Sequence, residues 1–267
     1  MDLGLMGRVA LVSGASGGLG FATAEALARE GCRVAIGSRD RARIDEAAAR
    51  LRAQGAEVLP LVCDVRDETQ IARAVAAVAE AFGGLHILIA NAGGPPAGYI
   101  DDFDANQWRE ALELNLLGTI NLCRHALPHL RAAAAAPDPL ARILMITSVS
   151  ARQPIPNLYL SNTARAGVQG FAKSLSEELG PAGITVNTIL PGYTQTDRLG
   201  ELADAIQQRT GQTRDAIEAS WAEANALKRL GTPQEFAAVA AFLVSKPAAY
   251  ITGIGLAVDG GRIKHLF

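Results

Sequence analysis

Seven short apolar runs recur along this 267-residue chain, each parted from the next by a longer amphipathic stretch. They read VALVSG from Val9, RVAIGS from Arg33, EVLPLVCD from Glu57, LHILIANAG from Leu85, RILMITS from Arg142, ITVNTILPG from Ile184 and GLAVDGG from Gly255. Several are apolar throughout instead of alternating, as strands buried on both faces are, and such strands belong to parallel sheets. The stretches between them, such as FATAEALARE from Phe21 and IARAVAAVAEAF from Ile71, space their apolar residues as one face of a helix does. Strand–helix repetition through the whole chain predicts an α/β fold: a doubly wound parallel sheet with helices on both faces and right-handed crossovers. No linker interrupts the rhythm, so residues 1–267 are expected to form a single domain.

The composition fits a packed core: 49% of residues are hydrophobic and 19% charged, with a net charge of −2. So small a charge gives no reason to expect a nucleic acid or an anionic membrane as partner. Cys32, Cys63 and Cys123 form no CxxC pair and are expected to be buried free thiols. His125 and His129 lie four apart but lack an HExxH frame and a third ligand, so no metal is expected. No run of about eighteen apolar residues marks a membrane span. An acid at Asp2 followed directly by a strand is unlike a signal peptide, and a cytoplasmic location is expected.

Two places depart from plain scaffold. The first strand runs into SGASGGLG, with Gly14, Gly18 and Gly20, and a helix follows. Glycines there allow a tight turn and close approach of a pyrophosphate, and the N–H groups of the following helix attract it. The second is the long polar stretch from Tyr193 to Arg229, which follows the carboxyl end of a strand, where α/β proteins bind ligands. A substrate flap is expected over about 193–229.

The GxxxGxG spacing, ANAG at Ala90–Gly93, Asn115 in ELNLLG, PGYTQT from Pro191, RLGTPQEFAAVAAFLVS and the closing ITGIGLAVDGG stand in one order along the chain. In this the chain resembles the short-chain dehydrogenase/reductase family, and in particular sequences labelled 3-oxoacyl-carrier-protein reductases. The resemblance implies one Rossmann-type domain, a nicotinamide dinucleotide, a small carbonyl, alcohol or acyl-thioester substrate, and self-association to a dimer or tetramer. It implies that Gly14, Ser16, Gly18, Leu19 and Gly20 form the phosphate turn and that Asp64, with Val65, meets the adenine. Asn91, Ala92 and Gly93 would line the adenosine ribose, and Pro191, Gly192 and Thr194 or Thr196 the carboxamide.

At the tip of the second strand an acid would bind the ribose 2′-OH of NAD. Ser38 stands there, followed by Arg39, which suits a 2′-phosphate, so NADP(H) is expected over NAD(H). Asp40 is expected to cap the next helix.

Family members use a Ser, a Tyr and, four residues after the Tyr, a Lys. The Tyr gives a proton to the carbonyl oxygen, and the Lys binds the ribose and lowers the Tyr pKa. Bringing a phenol from about 10 toward neutrality is worth about 4 kcal/mol. Matching AGVQGFAKSL from Ala166 to the family's helix puts Arg165 in the Lys position and Ser161 in the Tyr position. Ser148 then falls in the family's Ser position with no gap, and Asn115 completes the expected catalytic set. Tyr159 is out of register by two residues, in the first turn of the helix or just before it. An oxidoreductase with an atypical site follows; the alternative is a non-catalytic NADP(H)-binding sensor or partner subunit.

Apolar residues fall on more than one face of the helices expected at Asn106–Arg131 and Ala164–Gly180, among them Leu112, Leu116, Leu117 and Ile120 on the first and Val168, Phe171 and Leu175 on the second. A homo-oligomer is expected to cover the surplus face.

Overall fold

A computed structural model describes residues 1–264 and Leu266. In chain order its elements are β1 (Val9–Val12), α1 (Gly18–Arg29), β2 (Arg33–Ser38), α2 (Arg41–Arg52), β3 (Val58–Val62), α3 (Glu68–Phe82), β4 (Ile87–Ala90), α4 (Ala105–Leu112), α5 (Gly118–Ala134), β5 (Ala141–Ile146), α6 (Tyr159–Leu179), β6 (Ile184–Pro191), α7 (Asp197–Thr210), α8 (Arg214–Ala224), α9 (Pro233–Leu243) and β7 (Gly255–Val258). All seven expected strands form. They make one parallel sheet in the order β3-β2-β1-β4-β5-β6-β7.

The order explains the apolar runs. Successive strand residues point to opposite faces, and both faces are covered. Val9, Leu11, Leu88 and Ile143 pack with Ile71, Val75, Val78, Leu122, Leu130 and Val168 on one side. Ala10, Val12, Ile36, Ile89 and Leu144 pack with Leu27, Ile44, Leu51, Phe236 and Leu243 on the other. Each fully buried Leu, Ile or Phe contributes about 1.5–3 kcal/mol, so this double layer dominates stability. Cys32, Cys63 and Cys123 are buried and free, as expected. His125, half-buried on α5, lies 3.1 Å from Glu68 Oε1.

The chain winds from β1 outward through β2 to β3, then returns to place β4 on the other side of β1. This reversal opens a crevice at the carboxyl ends of β1 and β4.

Asp40 caps α2, accepting from Arg43 N at 3.0 Å, as expected. Between α4 and α5 the helix expected over Asn106–Arg131 is not regular: Glu113–Leu117 form a π turn. Beyond β6, helices α7 and α8 pack on each other through Ala203, Ile217 and Trp221, with Tyr193, Leu199 and Leu202 against them. Among the described residues no helix is long and apolar enough to cross a membrane.

Candidate active site

The crevice is one continuous cleft of about 810 Å³, running from the β2 tip past the α1 N-terminus to the start of α6. That volume lies in the upper part of the usual range for small-molecule sites, about 300–1,000 Å³.

At its centre the β1–α1 turn is built for close approach. Gly14 has φ +59° and Gly18 φ +55°, where a side chain is strained. A Cβ at Gly14 would lie 2.8 Å from Asn91 Nδ2, and one at Gly20 would run into the carbonyl oxygen of Gly14. Asn91 ties the two strand ends together: its Nδ2 donates to Gly14 O at 3.0 Å, and Ser13 Oγ donates to Asn91 O at 2.7 Å. No side chain caps the N-terminus of α1, whereas Asp40, Asp67 and Thr196 cap α2, α3 and α7. The first amides of α1 are therefore left for a ligand in the cleft.

At one end of the cleft stand Ser38, Arg39, Asp64 and Val65. Ser38 is buried, with its hydroxyl 3.1 Å from that of Ser16. Asp64 pairs with Arg66 at 2.6 Å, and this bond holds its carboxyl below the usual carboxylate range. Arg43 joins Arg39 on the wall; a Cβ at Gly17 would lie 3.5 Å from its guanidinium.

At the other end are Ser148, Ser161 and Arg165. Ser148 follows β5 and caps a 3₁₀ turn, its Oγ accepting from Ser150 N at 3.1 Å. That bond uses a lone pair and leaves the hydroxyl proton free to donate. Ser161 and Arg165 stand one turn apart on α6, on the face toward the cleft. The buried Arg165 donates from Nη1 to Ile146 O at 3.0 Å and from Nη2 to Ala92 O at 3.2 Å, while its Nε has no partner among the described residues. Burial, together with nearby Arg198, pushes its guanidinium down to about 10. Tyr159 opens α6 but is 41% exposed and lies outside the cleft, its ring 6.2 Å from that of Tyr99.

Gly93, Leu19, Ser16, Pro191, Gly192, Thr194 and Thr196 also line the cleft. Thr196 caps α7 and brings its methyl group against Gly18, where a Cβ would lie 3.7 Å away. Gly20 and Asn115 do not line it. Gly20 lies behind the turn, where only hydrogen fits. Asn115 is fully buried in the π turn and donates from Nδ2 to Gly93 O at 2.7 Å, supporting the cleft wall from behind.

Residues not singled out from the sequence complete the walls. Arg198, in the first turn of α7, reaches over Gly94 and donates from Nη2 to Pro95 O at 2.7 Å, joining the two lips of the cleft. A cation in a first turn opposes the helix dipole, the one local sign that such a residue has other work. Arg43, the third residue of α2, carries the same sign. Tyr193 lines the cleft beside Leu199 and Leu202.

The chain matches the family described as enoyl-(acyl carrier protein) reductase over residues 14–262. It is 35% identical to the short-chain reductase protein NovJ of Streptomyces niveus, over 95% of this chain and 93% of that one. It is 32% identical to dehydrogenase/reductase SDR family member 4 of Bos taurus, over 97% of this chain and 88% of the relative. Among solved structures, L-sorbose reductase from Gluconobacter frateurii, complexed with NADPH and L-sorbose, superposes with a TM-score of 0.93 at 32% identity, covering 100% of both chains. An actinorhodin polyketide ketoreductase with NADPH gives a TM-score of 0.91 at 29% identity, over 97% of this chain and 98% of that one. With the seven-stranded sheet and the glycine-turned cleft already in view, these matches show that the chain belongs to the short-chain dehydrogenase/reductase family.

Proposed function

We propose that this chain is an oxidoreductase that moves hydride between NADP(H) and the carbonyl or alcohol of a small molecule, with Ser161 and Arg165 where relatives carry Tyr and Lys. The observation that carries this reading is the placing of Ser148, Ser161 and Arg165 in the same cleft as the Gly14–Gly18 turn, with Tyr159 outside it. Relatives of known structure that are complexed with NADPH, and another described as an NADPH dependent reductase, support the choice of ligand.

The cleft fits such a dinucleotide. The uncapped α1 amides and the strained glycines suit a diphosphate, and Arg39 with Arg43 suits a 2′-phosphate. Asp64 and Val65 would hold the adenine, Asn91 to Gly93 the ribose, and Pro191, Gly192, Thr194 and Thr196 the carboxamide. When bound, the reduced dinucleotide supplies hydride. Ser148, with its proton free, orients a substrate oxygen. Helices α7 and α8, which follow β6 at that end, would serve as a flap over the substrate. Arg165 keeps a positive charge at the cleft floor, but a guanidinium fixed on two backbone carbonyls cannot turn as an ammonium does. The proton once supplied by the missing Tyr must come from another group. Fluorescence titration with NADPH and NADH tests the reading: tighter binding of NADPH supports it, and no binding of either refutes it.

The second reading is a partner subunit that binds NADP(H) without turnover. Its support is the same pair of bonds from Arg165 to Ile146 O and Ala92 O, which give that side chain a purely structural use. Binding of NADPH without reduction of any carbonyl would favour it.

A further inference from the structure

With Ser161 in the Tyr position, the cleft needs another proton donor. The inference that follows rests on the reading of the chain as a carbonyl reductase. A serine hydroxyl is far weaker as an acid than a phenol, so neither Ser148 nor Ser161 supplies one. The carboxylates Asp40, Asp64 and Glu201 are engaged, the first as a helix cap and the others by Arg66 and Arg198. Glu110 and Asp197 are exposed to solvent, away from the enclosed part of the cleft wall. Among the described residues that line the cleft, one tyrosine remains: Tyr193, directly after Pro191 and Gly192 at the carboxyl end of β6. Tyr99 and Tyr159 meet each other outside the cleft, and Tyr250 is fully exposed.

Tyr193 is held from two sides. Its ring stacks on Trp221 of α8, with centroids 4.8 Å apart and planes at 24°. Arg262, from the segment after β7, lies with its guanidinium carbon 4.1 Å from the ring centroid, and its Nη2 is 3.1 Å from Tyr193 Oη. A guanidinium only donates, so the tyrosine oxygen is the acceptor in that bond. The phenolic proton is then left to donate elsewhere. Burial raises the phenol and Arg262 opposes the rise, so the group carries its proton at neutral pH.

We propose that Tyr193, fixed by Trp221 and assisted by Arg262, donates the proton to the substrate carbonyl oxygen. As the carbonyl carbon takes hydride, the Tyr193 O–H bond breaks and a new O–H bond forms on the substrate, giving the alcohol. The electron pair stays on Tyr193 as a phenolate beside the Arg262 charge, and a proton taken up from bulk solvent through the open cleft restores the phenol, so each turnover consumes one proton. Arg262 is a positioning residue, and it takes over the electrostatic part that the missing Lys plays in relatives.

The test compares the unmodified protein with Tyr193→Phe, which keeps the ring and its stacking. Reduction of open-chain ketones, cyclic ketones, ketoses and 3-oxoacyl thioesters is followed by NADPH absorbance, and NADPH binding separately by fluorescence titration. The expected result is a fall in kcat of about 10²-fold or more, with the NADPH Kd and the Tm unchanged. Adding Ser161→Tyr with Arg165→Lys to Tyr193→Phe is expected to restore at least about tenfold of the loss, since the missing element is a proton donor. A kcat within about threefold of the unmodified protein, or a loss that tracks a weaker NADPH Kd, overturns the proposal. Unmodified protein that binds NADPH yet reduces none of the panel also overturns it, while leaving cofactor binding intact. Failure to bind NADPH at all instead overturns the functional reading beneath it.

Discussion

Arg165 lies one helical turn beyond Ser161 on α6, and both side chains line the cleft while Tyr159, two residues before Ser161, points away from it. Helical geometry makes these three facts one: residues four apart share a face, and residues two apart do not. The first expected outcome follows from it. Tyr159→Phe should leave kcat and the NADPH Kd within about twofold, because only an exposed hydroxyl is lost. Steady-state kinetics with a titration checks this, and a collapse of turnover would put Tyr159 back in the reaction.

Selection of the dinucleotide should lie in Arg39 and Arg43. Either one changed to Ala is expected to weaken NADPH binding by about tenfold or more, since a charge-assisted bond is worth about 1.5–3 kcal/mol. NADH binding should barely move. Parallel titrations of both dinucleotides would expose any variant that weakens the two equally.

Asp40 provides a contrast at the same end of the cleft. Its oxygen caps α2, so Asp40→Ala should lower stability by about 1 kcal/mol while sparing the preference for NADPH. Asp40→Asn, which caps nearly as well, should recover that stability. Thermal melts and NADPH titrations separate the cap from any direct part in binding the ribose.

Self-association is expected to use the outer face of α4, the π turn and α5. Leu117 is 47% exposed there, beside half-buried Leu116 and Ile120. Sedimentation at micromolar concentration should show a dimer or tetramer, and Leu117→Glu should shift it toward smaller species. A 27.9 kDa monomer for the unmodified protein would contradict this.

The sheet could be read from the chain because its signal is local. A strand buried on both faces is apolar throughout its covered length, as Val9–Val12 of β1 are, each of them buried. The glycine turn and the α2 cap are local too. The π turn at Glu113–Leu117 was not readable, since it is held by a bond from Asn115 to Gly93, 22 residues away. Arg43 and Arg198 carry only a first-turn cation as a local sign, and tertiary folding alone brings them to the cleft. Gly20 and Asn115 belong to the site's motifs, yet support it from behind.

The most direct test of the altered catalytic set is a crystal structure with NADPH bound. The hydroxyls of Ser148 and Ser161 and the guanidinium of Arg165 should face the nicotinamide ribose and the substrate space, with Tyr159 outside. Finding the Tyr159 hydroxyl at the nicotinamide, with Ser161 turned away, would contradict the register on which this account stands.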